Sequence, residues 1–454
     1  MKKLVCLLAF LAGVSLAVPA QERQIEFTEF TLKNGLHVIL HEDHSTPIVA
    51  VSVLYHVGSK NERPDRTGFA HFFEHLLFYG TENIESGQID ELIKGAGGML
   101  NANTTLDRTF YFEVLPSNQL ELALWIESER MLHARIDQTG VEREREIVKE
   151  ERRQRVDNQP YGTILEETLK RAYHEHPYRW GVIGSMDHLN SAKLEEFVAF
   201  YDGYYVPDNA VLSIAGDIDP KTAKKLVKKY FKGIPSAAKE IYRPDAVEPV
   251  QTAEIRDVVY DNIQLPAVVM AYKIPAQGTE EYYPVDMVMK LLSQGESSRL
   301  NKSVKDEKQK ALFTGAFPLQ LEDPGIAIMF AITSAGVAPE DLETAIQEEI
   351  DKVKDALIDE REFQKLRNQI ENELVTNNAT MRGISESLAN FHTYFGDANL
   401  INTTIQRYMK VTREEMKEAA GKYLRNENRV VLYYLPRQEE PAEKAEGSDE
   451  ETNG

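Results

Sequence analysis

Short runs of β-branched and aromatic residues, separated by turn-forming residues, recur through the first part of the chain. Residues 26–32, 37–40, 48–57 and 109–115 carry this pattern and predict strands. Apolar positions at helical spacing take over at 67–79, 89–94, 118–132, 142–156 and 193–201, and predict helices. Strand runs and helix runs do not alternate strictly. The pattern therefore predicts an α+β fold, an antiparallel-rich sheet with helices on one side, rather than a doubly wound parallel sheet.

The pattern also repeats. Glu195, Glu196 and Phe197 match Glu414, Glu415 and Met416 at an offset of 219. The same offset relates Tyr204 to Tyr423, Asn209 to Asn428, Val211 to Val430, Pro47 to Pro266 and Val49 to Val268. One offset at both ends of a half points to duplication. Two homologous domains are expected, at 24–235 and 250–436, each a mainly antiparallel sheet with helices packed on it. A polar segment marked by Pro235, Pro244 and Pro249 joins them. Residues 437–454 hold seven acids, two bases and no large apolar side chain, and are expected to be a disordered acidic tail.

The first 20 residues read as an export signal. Lys2 and Lys3 precede an apolar run too short to span a bilayer, and cleavage after Ala20, or after Ala17, fits the small residues that follow. A periplasmic location is expected, without stable membrane insertion. The only cysteine, Cys6, lies in this segment, so neither disulfides nor a thiol nucleophile are expected in the mature chain. The balance of 52 Lys and Arg against 73 Asp and Glu gives a net charge of −21. Nucleic acid is excluded as a partner on that ground.

One segment carries distinctive chemistry. In Gly68-Phe69-Ala70-His71-Phe72-Phe73-Glu74-His75-Leu76-Leu77-Phe78-Tyr79, His71 and His75 leave one helix face, and Glu74 shares it. Nearly every other position is apolar, so these groups must be paired or coordinated inside a buried helix. A catalytic zinc needs three protein ligands and an open position. The helix 142–156 offers Glu142, Glu144, Glu146, Glu150 and Glu151, mostly a solvated face of paired charges. Glu144 and Glu151 lie two turns apart, with Ile147 and Val148 between them suggesting an inward face. Either glutamate can ligate while the other supports a histidine or the bound water.

H-x-x-E-H resembles the inverted zinc motif of the insulinase/pitrilysin peptidases, the inverzincins. The resemblance extends to Glu144-Arg145-Glu146-Ile147-Val148-Lys149-Glu150-Glu151, where Glu151 stands 76 residues after His75. It implies one zinc per chain on His71, His75 and Glu151, Glu74 as general base, and Glu144 behind the ligands. Gly98-Met99-Leu100-Asn101-Ala102-Asn103-Thr104-Thr105 is similar to the family's edge strand, which implies peptide substrate along Asn101, Ala102, Asn103 and Thr104. His176-Pro177-Tyr178, Tyr205-Val206-Pro207-Asp208-Asn209 and Ser297-Ser298-Arg299-Leu300 are similar too. The size resembles short bacterial members and mitochondrial-type processing peptidase subunits. The family's Arg and Tyr, seven apart in the second half, are replaced by Lys305 and Leu312. That departure implies a homologous partner subunit carrying the pair, or a homodimer in which Tyr282 or Tyr283 serves. The expected function is a zinc-dependent endopeptidase acting on peptides or small unfolded proteins. The alternatives are a non-catalytic assembly subunit or a peptide-binding protein of the same fold. By the repeat, Asp286 to Lys290 faces the zinc motif and keeps no ligand set.

Overall fold

The computed structural model describes residues 24–437. The predicted export signal, and all but Arg437 of the predicted acidic tail, lie outside the described residues.

Two sheets organise the chain. The first contains β1 (Thr28–Thr31), β2 (His37–Glu42), β3 (Ile48–Tyr55), β4 (Met99–Thr104), β5 (Thr109–Pro116) and β6 (Ala210–Gly216), in the order β1-β2-β6-β3-β5-β4. The second contains β7 (Ile255–Asp261), β8 (Ala267–Lys273), β9 (Ala311–Leu319), β10 (Ile326–Thr333) and β11 (Arg429–Pro436), in the order β7-β11-β8-β10-β9. Leaving β1 aside, the two orders and pairing directions superimpose. Among the described residues, only β2 with β6 and β7 with β11 run parallel. The α+β class is as the sequence predicted.

The repeat is visible in the elements themselves. The helices Leu194–Tyr204 and Arg413–Tyr423 start and end 219 residues apart, and so do the starts of β3 and β8 and of β6 and β11. Asn209 donates its Nδ2 to the Tyr204 carbonyl at 2.8 Å, and Asn428 repeats this bond to Tyr423 at 2.8 Å. The matched asparagines thus fix the same helix-to-strand turn twice.

The expectation of helices on one side is corrected. Every residue of β6 is buried, and β3 is buried from Val49 to Tyr55, so both faces of the first sheet are covered. Near-continuous apolar strands are the signature of that arrangement. One face packs against the first half's own helices. The other receives the bridging helix, Met381–Phe395, contributed by the second half, through Ile384, Leu388 and Ala389. The helix Ile164–Ala172 of the first half returns the exchange, packing Leu169 and Ala172 against Val430 and Leu432 of β11. Each half therefore covers a sheet of the other.

A polar hub closes the junction. Lys60, 4% exposed, pairs with Asp107 at 3.0 Å, Glu322 at 2.5 Å and Asp323 at 3.3 Å. His56 also reaches Glu322, at 2.8 Å. Burial alone would lower the Lys60 ammonium, but these carboxylates hold it above its ordinary value. Burial likewise opposes charge on Glu322, yet His56 and Lys60 pull it down to about 2.

Replacing Lys60 by Met leaves these acids without their cation. The expected cost is about 3–5 kcal/mol of unfolding free energy, measured in urea. A depressed carboxylate contributes stability above its unfolded value and loses it as pH falls through the folded one. The Glu322 contribution should therefore fade between the ordinary carboxylate range and about pH 2. Unfolding curves of wild type and Glu322→Gln should converge over that window.

Candidate metal centre

The motif helix, Phe69–Tyr79, begins one residue after Gly68, whose φ of +97° favours glycine. A Cβ there would lie 2.7 Å from the Ile183 carbonyl oxygen. The start is two residues later than the pattern suggested because this left-handed turn breaks the chain direction. Gly68 N–H and Ala70 N–H donate to the buried Glu62 carboxylate at 2.9 and 2.8 Å, satisfying groups that a helix start leaves open. The apolar face is locked by aromatic packing: Phe69 and Phe72 lie 4.6 and 4.5 Å from the Phe197 ring. Tyr111 donates its hydroxyl to the Phe73 carbonyl at 2.8 Å.

The glutamate helix, Gln138–Arg152, lies against the motif helix. Asp137 caps it, accepting from Gly140 N–H at 2.7 Å, so it starts earlier than predicted. It runs into a wider, π-helical turn at Arg153–Asp157. Arg145 donates to the Leu189 and Ala192 carbonyls, and Arg152 pairs with Glu166 at 2.8 Å, fixing the helix in place. Glu142, Glu146 and Glu150 are exposed, as expected of a solvated face, whereas Glu144 is buried and Glu151 half-buried. The inward reading of Ile147 is corrected. Ile147 is 41% exposed while Val148 is buried. At 100° per residue the inward face centres near Val141 and Val148, and Ile147 lies on its rim.

His71 Nε2, His75 Nε2 and Glu151 Oε2 converge. Glu151 lies 2.9 Å from His75 and 3.6 Å from His71. All three donors lie within 4.8 Å of one another. Ligands on a tetrahedral zinc with bonds of about 2.0–2.2 Å sit a little over 3 Å apart. The buried Nδ1 of His71 has no hydrogen-bond partner, and its Nε2 is too far from Glu151 for a hydrogen bond. The donor set therefore fits a zinc ion. Glu144 Oε2 stands 3.9 Å from His75 Nδ1, on the far side of that ring. Arg155 holds the second oxygen of Glu151 at 2.6 Å.

The electrostatics follow from burial. It pushes His71 down to about 4, with His75 adding to the effect. Burial would also lower His75, but the Glu151 carboxylate raises it. The hydrogen bond from His75, above all, lowers Glu151. Burial raises Glu74 and Glu144.

Glu74 Oε2 accepts a hydrogen bond from Thr104 Oγ1 at 2.6 Å. Thr104 ends β4, which among the described residues pairs with β5 alone and forms the outer edge of the sheet. Asn101, Ala102 and Asn103 precede it on that strand. The candidate base and the candidate substrate strand are thus joined. Sequence reasoning placed Thr104 on the strand but not on Glu74, and it missed Glu62 altogether. Neither contact has a spacing signal, since both depend on tertiary packing.

The other named positions lie apart. Lys305 pairs with Glu296 at 3.3 Å, and Leu312, the second residue of β9, is 58% exposed. Tyr282 and Tyr283 are buried in the second core beside Tyr408, so they do not offer a free hydroxyl at a surface.

Comparison with known proteins gives the family. The profile described as "Insulinase (Peptidase family M16)" matches residues 37–184, and "Peptidase M16 inactive domain" matches 191–370. The chain belongs to the insulinase family. It is 29% identical over 429 residues to the zinc protease PqqE of Helicobacter pylori, covering 94% of this chain and 96% of that one. A crystal structure of a protease from Helicobacter pylori superimposes with a TM-score of 0.87 at 29% identity, covering 90% of this chain and all of that one. A probable mitochondrial-processing peptidase subunit beta of Arabidopsis thaliana is 24% identical over 426 residues, covering 90% and 78%. Peptidase-type chemistry is thus supported by family and relatives alike.

The insulinase repeat has diverged in its second half. The helix Glu360–Asn377 starts 222 residues after the glutamate helix, which sets Glu373 opposite Glu151. On the second half's helix Tyr282–Ser293, Asp286 and Lys290 stand one turn apart, as the two histidines do, and Lys290 Nζ lies 2.8 Å from Glu373 and 4.0 Å from Asp286. An ammonium and two carboxylates replace the donor set, and nothing there is left to hold zinc.

Burial pushes Glu62 up to about 8, against the opposing N–H groups of Ala70, Gly68 and Phe69. A carboxyl raised on folding contributes stability that is full below its unfolded value and lost as pH rises through the folded one. Wild type should therefore lose stability between about pH 4.5 and 8 relative to Glu62→Gln, read by thermal melts across that range.

Proposed function

We propose that this chain is a zinc-dependent endopeptidase that takes extended peptides or small unfolded proteins. The observation that carries this reading is the bond between Glu74 and Thr104 beside the convergent His71, His75 and Glu151. His71, His75 and Glu151 hold the zinc, which when bound supplies Lewis acidity toward the scissile carbonyl and an acidified water. Glu74 takes the proton from the attacking water and returns it to the leaving amine. Thr104 orients that carboxylate. Glu144 backs His75, and the outer edge of β4 holds the substrate main chain by strand addition along Asn101–Thr104.

The chain acts as the zinc-bearing subunit. Lys305 lacks the forked donor geometry of arginine, and Leu312 has no donor. A homologous partner carrying Arg and Tyr completes the oxyanion environment. The likeness to a processing-peptidase beta subunit supports pairing of this kind. Export to the periplasm rests on residues 1–20. Among the described residues, no helix is long and apolar enough to cross a membrane. A second reading, zinc and peptide binding without turnover, is favoured by the exposed Leu312 alone.

Glu151→Gln should lose tightly held zinc, by elemental analysis, while Glu74→Gln keeps zinc and loses about 10²–10⁴-fold in turnover. Zinc loss from Glu74→Gln would make Glu74 a ligand instead. The pure chain should cleave a mixed peptide library weakly, and a homologous Arg- and Tyr-bearing subunit should restore cleavage. Robust turnover by the pure chain, abolished by Glu74→Gln, would leave the peptidase reading standing and remove the partner.

A further inference from the structure

A second cluster of metal-binding side chains lies away from the motif helix, where the N-terminal edge of the first sheet meets the bridging helix. Glu29 sits on β1, His37 on β2, and His392 on the bridging helix. The register sets Thr31 opposite His37 and Glu29 opposite Ile39, so Glu29, Thr31, His37 and Ile39 share one sheet face. Ile39 packs in the cluster that the bridging helix covers, so this is the face that meets His392.

His37 and Glu29 are hydrogen-bonded to each other, and His392 is left out of the pair. His37 Nε2 lies 3.1 Å from Glu29 Oε2, and His392 Nδ1 lies 4.0 Å from the same oxygen. The second distance is too long for a hydrogen bond. His392 Nδ1 is buried and has no hydrogen-bond partner. Each residue offers one donor atom within 4.8 Å of the others. A buried ring nitrogen facing a carboxylate across 4.0 Å lacks a bridging group, and a cation with bonds of about 2.0–2.2 Å to each side would span that gap.

The surroundings suit a cation. Thr31 Oγ1 lies 3.1 Å from His37 Nδ1, the ring nitrogen remote from the cluster. A partner at that position fixes tautomer and ring direction, as outer groups do around metal-bound histidines. Burial, and then the neighbouring His37, keep His392 below its ordinary value, which favours the neutral form that binds metal. The Glu29 side chain is 46% exposed, His37 15% and His392 24%, leaving room for water as further ligands. The two imidazoles are stacked 3.4 Å apart at 6°. In-plane lone pairs on parallel rings cannot meet at one ion, so one ring must turn about its Cβ–Cγ bond. His392, with no hydrogen bond at Nδ1 to lose, is the one free to do so.

We propose that Glu29, His37 and His392 form a second divalent-metal site, for a borderline cation of the zinc class, that clips the edge of the first sheet to the bridging helix. Two imidazoles and a carboxylate suit zinc, nickel or copper rather than calcium or magnesium. Its carboxylate is exposed and its two imidazoles are only part-buried, so it binds more weakly than the motif-helix donors. It reinforces a seam that Asn402 already ties, accepting from Ile25 N–H at 2.8 Å and donating to the Ile25 carbonyl at 3.0 Å. The expectation of one zinc per chain came from the repeated motif helices, and this cluster belongs to neither.

The test uses the full chain as the double variant His71→Ala/His75→Ala, stripped with chelator and dialysed against excess zinc. About one zinc per chain is expected there, and none when His392→Ala is added. Zinc should raise the thermal midpoint of the double variant but not of the triple variant or of His71→Ala/His75→Ala/His37→Gln. Melts without zinc control for folding, since they report what the loss of the part-buried His392 ring does by itself. No zinc on the double variant, or equal zinc on double and triple variants, overturns the site. Failure of the motif-helix reading gives a different result: wild type and the double variant would then bind equal zinc.

Discussion

An apolar helix that carries three ionisable groups on one face cannot be buried unless something meets those groups. The motif helix is buried by Phe69, Phe72, Phe73, Leu76 and Leu77, and that packing drives His71, Glu74 and His75 out of water. Desolvating such groups without partners costs several kcal/mol each. The rest of the first half supplies what the helix lacks. The glutamate helix brings Glu151 and Glu144, β4 brings Thr104, and Glu62 closes the open N–H groups at the helix start. The site is as much a consequence of burying this helix as an addition to it.

The second half meets the same constraint with different chemistry. Its equivalent helix, Tyr282–Ser293, is buried as thoroughly, and Asp286 there is fully buried. Lys290 and Glu373 form an ion pair, and the Tyr408 hydroxyl donates to Asp286 at 2.7 Å. A lysine ammonium carries its own positive charge into the space between two acids, so no ion has to be recruited. With these groups paired among themselves, this half keeps the fold and lends the bridging helix to its neighbour. The exchange of helices makes the two sheets one hydrophobic problem, and the Lys60 hub adds a charged one at the same seam.

Much of this was legible in the residues, for definable reasons. His71, Glu74 and His75 announce themselves because their spacing matches one helical turn and their setting is apolar. The offset of 219 survives because Asn209 and Asn428 make the same backbone bond. The choice between Glu144 and Glu151 was not legible from spacing, as both lie on one face; the family pattern favoured Glu151, and the helix placement puts it 2.9 Å from His75 and Glu144 behind that ring. β4 escaped the strand pattern because its sequence, Met-Leu-Asn-Ala-Asn-Thr, is too polar for a core strand; only its resemblance to an edge strand marked it. The second covered face of the first sheet was written in the unbroken apolar runs of β3 and β6. What covers it comes from more than 150 residues away, and no local pattern carries that. Lys60 reads as an ordinary loop lysine for the same reason.

The Thr104–Glu74 bond has a consequence for substrate choice. On the proposed reading, peptide adds to β4 through main-chain hydrogen bonds, each contributing about 0.5–1.5 kcal/mol net. Four residues of edge strand then supply a few kcal/mol, enough to align an extended chain but little to distinguish side chains. A folded protein offers unpaired backbone only at its few sheet edges, whereas an extended or unfolded chain offers it throughout, so such chains are favoured by backbone availability. The strand that receives the peptide also ends in the hydroxyl that holds the base. Any shift of β4 on binding is felt at Glu74 within one hydrogen bond, so alignment of the substrate and placement of the carboxylate are set by a single element.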